Sequence, residues 1–182
     1  PELIKEITSA LLTLPDKITE VLKEKDHMEK LAESLKDAKD IFYLGRSIDY
    51  AIAMEGALKL KEISYIHAEA YAAGELKHGT LALITKETPV IAVATQSHVA
   101  SKMYSNIQEV RARGAEVIGI GYDDDPELEK YATDTVRVPR VDEFIAPILS
   151  VIPMQLLAYF TGIKRGNDVD KPRNLAKSVT VE

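Results

Sequence analysis

Glu55, Lys59 and Glu62 recur at i, i+4 and i+7, which on a helix sets one ammonium between two carboxylates along a single stripe. On a solvated face such a set is an ordinary ion pair contributing roughly 0.3–0.5 kcal/mol, and spacing alone favours that reading. In a cleft the same groups suit proton transfer, because burial and mutual charge tune their pKa values. Most of the remaining circumference is small or apolar (Ala53, Met54, Ala57, Leu60, Ser64, Tyr65), with Leu58, Ile52 and Ile63 bordering the stripe. The helix is therefore expected to be largely buried, with its charged stripe lining a cleft. His78 sits beside Gly79 at an expected tight turn; an exposed loop histidine is the default, but near a sugar oxygen it would shuttle protons around neutral pH. Lys177, close to the C-terminus, captures a carbonyl only if desolvation or another cation lowers its pKa, and spacing does not single it out. Thr95-Gln96-Ser97-His98 leads into a helix. Its hydroxyls and amides suit either a phosphate or simple capping, and capping is favoured because no glycine lets the backbone close around an anion.

The elements that must hold these groups follow from hydrophobic patterning. Leu3, Ile4, Ile7 and Leu11 recur at helical spacing until Pro15-Asp16; Ile18, Val21 and Leu22, then Met28, Leu31 and Leu35, form further stripes. Short amphipathic helices need something to pack on, so residues 1–39 are predicted to be a helical lead-in. Short apolar runs follow at Ile41–Leu44, Leu81–Ile84, Val90–Ala94, Val117–Ile120 and Thr135–Val138. Helical stretches separate them at Ile48 to about Ile66, Val99–Arg113 and Phe144 to about Gly162, with a shorter one around Pro126–Tyr131. Continuous apolar strands alternating with helices predict an α/β fold over residues 40–164, a doubly wound, mainly parallel five-stranded sheet flanked by helices. Residues 165–182 read as a polar, turn-rich tail.

Composition narrows the function classes. A chain of 182 residues with net charge −6 and interspersed charges disfavours nucleic acid or an anionic membrane as partner. The absence of cysteine removes disulfide, thiolate and zinc-thiolate chemistry. No apolar run is expected to reach the roughly 20 residues that cross a bilayer, and the N-terminus lacks the build of a signal peptide, so a cytoplasmic protein is expected. The turn after the first strand, Gly45-Arg46-Ser47, carries no dinucleotide-binding GxGxxG. Asp123-Asp124-Asp125 after Gly121 would repel a pyrophosphate, and no Walker-type loop occurs.

Three stretches taken together carry a resemblance: Glu55–Tyr71 (EGALKLKEISYIHAEAY), Gly74–Gly79 (GELKHG) and Asp168–Glu182 (DVDKPRNLAKSVTVE). They resemble the glucosamine-6-phosphate synthases, the glutamine:fructose-6-phosphate amidotransferases, and the similarity runs through essentially the whole chain. The resemblance implies the second sugar isomerase (SIS) domain and catalytic tail of an enzyme that needs no cofactor or metal. That enzyme makes glucosamine 6-phosphate and glutamate from fructose 6-phosphate and glutamine. On the matching positions, Lys177 would form the Schiff base with the ketose C2. Glu62 would move a proton between C1 and C2, and Lys59 would support that transfer. His78 would assist ring opening from the partner subunit of a homodimer, and Ala176 would contact the sugar through its backbone. The resemblance further implies an N-terminal glutaminase domain and a first SIS domain, and no cysteine nucleophile or second sheet is present here. The loops that grip the sugar phosphate belong in that family mainly to the first SIS domain. The 182-residue chain alone is therefore expected to turn over fructose 6-phosphate poorly or not at all. A module that binds a phosphosugar without catalysis is the alternative, and the tail discriminates, since a sensor needs no Schiff-base lysine.

Overall fold

The computed structural model describes residues 2–173. Five strands form one parallel sheet in the order β2-β1-β3-β4-β5: β1 (Asp40–Gly45), β2 (His67–Ala72), β3 (Val90–Ala94), β4 (Val117–Tyr122) and β5 (Asp134–Val138). Tyr43 pairs with Ile91, and Ala92 with Gly119. The helices are α1 (Glu2–Leu22), α2 (Lys25–Leu35), α3 (Ile48–Ser64), α4 (Ala100–Arg111), α5 (Leu128–Tyr131) and α6 (Ala146–Lys164). Because side chains alternate along a strand, Ile41, Tyr43, Ile91, Val93 and Ile120 enter one core with α1, α2, α3 and α6. Phe42, Leu44, Val90 and Ala92 enter a second core with α4 and α5. Strands buried on both faces explain the continuous apolar runs of β1, β3 and β4. The winding reverses between β1 and β3, and ligands of such sheets bind at the strand carboxyl ends beside this switch.

Three expectations are corrected. The run Leu81–Ile84 is not a strand: residues Thr80–Leu83 form a 3-10 turn with Leu83 exposed. The missing strand is β2, whose sequence HAEAYA alternates polar and small residues, as an edge strand half open to solvent does. Its alanines lack the β-branching that marks a strand. The lead-in does not break at Pro15; α1 runs through it. Pro15 lies on the exposed side, while Leu14 and Val21 are buried, so the bend a proline imposes falls toward solvent, where it costs least. Lastly, α6 is long and apolar enough, by length and composition, to cross a membrane. Here its inward side, including Leu149, Pro153, Met154 and Leu157, is core.

The approach of α6 to α3 is close. A Cβ at Gly56 would collide with Met154 and the Tyr43 ring, so this helix pair needs glycine there. On the outer side of the pair, Met54, Leu58, Ile148, Tyr159 and Ile163 remain exposed.

Candidate active site

Helix α3 spans from the switch point to the far end of the charged stripe. It begins after the turn Gly45-Arg46-Ser47, where Ser47 holds φ 57° and ψ −132°, a strained conformation for a residue with a side chain. A Cβ at Gly45 would strike the Asp49 backbone, which is why the strand can turn so tightly there.

The first turn of α3 delivers Asp49 into the crevice between β1 and β3. Its carboxylate accepts the Thr95 N–H at 2.7 Å and the Thr95 hydroxyl at 2.5 Å. Burial pushes the Asp49 carboxyl up, against the opposing pull of those hydrogen bonds. The Ser97 amide, two residues on, is also occupied: its N–H donates to Glu143 Oε1 at 2.8 Å, and His98 Nδ1 lies 3.3 Å from Glu143 Oε2. The place after β3 where a phosphate would be held is filled by two of the chain's own carboxylates. Nothing in the sequence singles out either one. Asp49 is an acidic residue in a helix first turn, a common place for one, and Glu143 lies 46 residues from its partner Ser97.

Asp49→Ala leaves the buried Thr95 donors without partners, so denaturant melts are expected to show a loss of about 2–3 kcal/mol. Burial raises the Glu143 carboxyl, but the Ser97 and His98 hydrogen bonds outweigh it and hold the group below its usual value of 4.5. A depressed carboxyl contributes stability above its unfolded pKa and loses it as pH falls through the folded one. Glu143→Gln should accordingly melt below the parent chain at neutral pH, with the difference closing under acid conditions. A gap unchanged with pH would refute the assignment.

Further along α3, Lys59 Nζ lies 2.8 Å from Glu62 Oε2 and 3.6 Å from Glu55 Oε1. The bond to Glu62, reinforced by both carboxylates' charge, raises the Lys59 pKa over a smaller opposing desolvation, so Lys59 stays a cation. The expected cleft does not enclose this stripe within one chain. The Glu62, Lys59 and Glu55 side chains keep 24%, 33% and 43% of their exposure, because the neighbouring Met54 and Leu58 are on the outer surface and not in the core.

His78 ends a 3-10 turn (Ala73–His78), and Gly79 follows at φ 146°, the glycine-requiring turn anticipated from the sequence. The imidazole Nδ1 is 2.6 Å from Glu75 Oε2, with the side chain 74% exposed. Among the described residues, neither a hydrogen bond nor an ion pair joins His78 to Glu62 or Lys59. The structure thus brings Lys59 and Glu62 together and leaves His78 outside that pair. Lys177 and Ala176 lie outside the described residues.

Comparison with known proteins adds the lineage. The SIS domain family model matches residues 34–161. The chain is 57% identical over its full length to glutamine–fructose-6-phosphate aminotransferase (isomerizing) of Clostridium acetobutylicum, covering 30% of that protein. It is 50% identical to the protein of the same name from Methanosarcina acetivorans, again over its full length and covering 29% of that protein. The chain thus spans about 30% of the length of these curated relatives. A solved C-terminal domain of glucosamine-fructose-6-phosphate aminotransferase from Francisella tularensis superimposes with TM-score 0.84 and 39% identity, over 91% of this chain and 47% of that one.

Proposed function

We propose, from the premise that this chain belongs to the SIS domain family, that it is the second sugar-isomerase domain and catalytic tail of a glutamine–fructose-6-phosphate aminotransferase. The parent enzyme converts fructose 6-phosphate and glutamine to glucosamine 6-phosphate and glutamate. In this reading the Lys177 amine adds to the C2 carbonyl of the open-chain ketose, water leaves, and a Schiff base forms. Ammonia released from glutamine then displaces the Lys177 amine from C2 by exchange of one imine for another, which frees the lysine. Glu62 carries a proton from C1 to C2 as a general base and acid. Lys59 fixes one carboxylate oxygen of Glu62 and so supports that proton transfer. His78 assists ring opening from the partner subunit of a homodimer, and Ala176 offers its backbone to the sugar. The glutaminase domain and first SIS domain reside elsewhere in the parent polypeptide, which works in the cytoplasm without a cofactor.

The observation that carries this reading is the Lys59–Glu62 contact at 2.8 Å, an oriented acid–base pair on the helix whose segment supplied the resemblance. It is supported by the full-length match to relatives of that name. The occupied crevice after β3 supports placing the phosphate grip in another domain, because Asp49 and Glu143 already satisfy its donors.

The reading is tested by assaying the full-length polypeptide for glucosamine 6-phosphate from fructose 6-phosphate and glutamine, alongside the 182-residue chain alone. Product from the former and little turnover by the latter is expected. Brisk conversion of fructose 6-phosphate to glucose 6-phosphate by the short chain would sink the idea that its phosphate grip lies elsewhere.

A further inference from the structure

We infer that Tyr65, through Arg173, is a positioning residue that fastens the approach to Lys177 onto the end of the helix carrying Glu62. The inference rests on the proposed role of Lys177 and deepens it.

Tyr65 follows the last residue of α3 in a left-handed conformation, φ 61° and ψ 19°, with its N–H on the Lys61 carbonyl at 3.3 Å. Helices that end this way normally place glycine or asparagine at that position, because a Cβ is strained there. A tyrosine that accepts the strain puts a ring where the backbone alone would have sufficed. The ring has a use. Its hydroxyl oxygen accepts the Arg173 N–H at 3.0 Å, and the Arg173 guanidinium lies 3.8 Å from the ring centroid, a cation–π contact.

Two other contacts bring the same stretch to the same helix end. The Asn167 side-chain amide donates to the Ile63 carbonyl at 3.0 Å and to the Ser64 carbonyl at 3.3 Å, satisfying carbonyls that a helix terminus leaves open. A Cβ on Gly162 of α6 would strike Val169 and the Ile63 carbonyl oxygen, so the chain leaves α6 packed closely against α3. Residues 167–173 are thus tied to the end of α3 at both ends of the stretch.

The tie sets a distance. Glu62 lies three residues, roughly 4.5 Å of helix rise, before Tyr65. Lys177 lies four residues beyond Arg173, a span of at most about 14 Å. Restricting the lysine to that radius raises its effective concentration at the sugar held beside Glu62. Tyr65 touches no reacting atom in this account and acts only through the tail.

The test uses the full-length polypeptide and two replacements of Tyr65. Tyr65→Gly relieves the left-handed strain, so a purely structural role predicts equal or higher thermal stability together with unchanged kinetics. The positioning role predicts stability kept but kcat, and the rate of borohydride-trapped ketose adduct at Lys177, reduced about tenfold or more, with KM for fructose 6-phosphate changed far less. Tyr65→Phe keeps the ring under Arg173 and is expected to recover most of that loss, as Arg173→Lys should relative to Arg173→Ala. Tyr65→Gly with wild-type kcat and trapping rate would overturn the inference. Amide exchange across residues 167–173 gives a readout independent of the chemistry, and Tyr65→Gly should speed it about tenfold. If wild-type protein traps no ketose at Lys177, the Schiff-base reading has failed and exchange alone decides; equal exchange in the two proteins then overturns the tie.

Discussion

Lys177→Ala in the full-length polypeptide is expected to abolish borohydride-dependent attachment of fructose 6-phosphate and to lower kcat for glucosamine 6-phosphate by about a thousandfold or more. Removing a covalent nucleophile forfeits the whole split pathway and not one contact, so single losses of this kind are among the largest seen in enzymes. A lysine reaches this role only as the free amine, which requires desolvation or nearby positive charge. Lys59 is a candidate for that charge, since its bond to Glu62 keeps it protonated. Peptide mapping of the reduced adduct checks the assignment directly: label on any other lysine, or unchanged trapping in the alanine variant, would remove Lys177 from the mechanism.

Glu62→Gln should separate the two chemical steps. The amide keeps the side-chain shape but cannot accept the C1 proton, so kcat is expected to fall by about 10²–10⁴-fold, the usual contribution of a positioned acid–base group. Trapping at Lys177 should persist, because Schiff-base formation precedes the proton transfer. Stability should barely change: the Lys59–Glu62 pair keeps a third and a quarter of its side-chain exposure, and pairs of that kind contribute up to about 1 kcal/mol. Exchange of the C1 hydrogen with solvent deuterium gives the cleanest measure, and an undiminished rate in Glu62→Gln would assign the proton transfer to another group.

Much of the fold was legible because buried parallel strands have no solvent face. Ile41–Leu44, Val90–Ala94 and Val117–Ile120 read as unbroken apolar runs, and each is a strand. The edge strand β2 was not legible for the same reason inverted. Its outer residues His67, Glu69 and Tyr71 meet each other and Asp40, with the Tyr71 hydroxyl donating to Glu69 at 2.5 Å and His67 Nδ1 2.7 Å from Asp40 Oδ1. Its inner residues are alanines small enough to fit beneath α3. The apolar run Leu81–Ile84 looks more like a strand than β2 does, yet Thr80–Leu83 curl into a turn with Leu83 outside. Short apolar runs do not distinguish the two without knowledge of what covers them.

The charged stripe of Glu55, Lys59 and Glu62 was determined by the sequence itself. An i, i+3 separation on a helix brings Lys59 to Glu62 wherever that helix lies, and the glycine turn after His78 is equally local. What only the tertiary structure decided is where those groups face and what meets them. The stripe is on the outer surface of α3 because Ala53, Ala57, Leu60 and Ser64, on the opposite side, are buried in the core. The anion position after β3 is filled because Asp49 and Glu143 arrive from 46 residues away. Residues 167–173 meet the end of α3 because Arg173 stacks on a tyrosine 108 residues earlier. Local spacing encodes neighbours along one helix; contacts across such separations exist only once both cores have closed, since it is their burial that offsets the entropy of holding distant segments together.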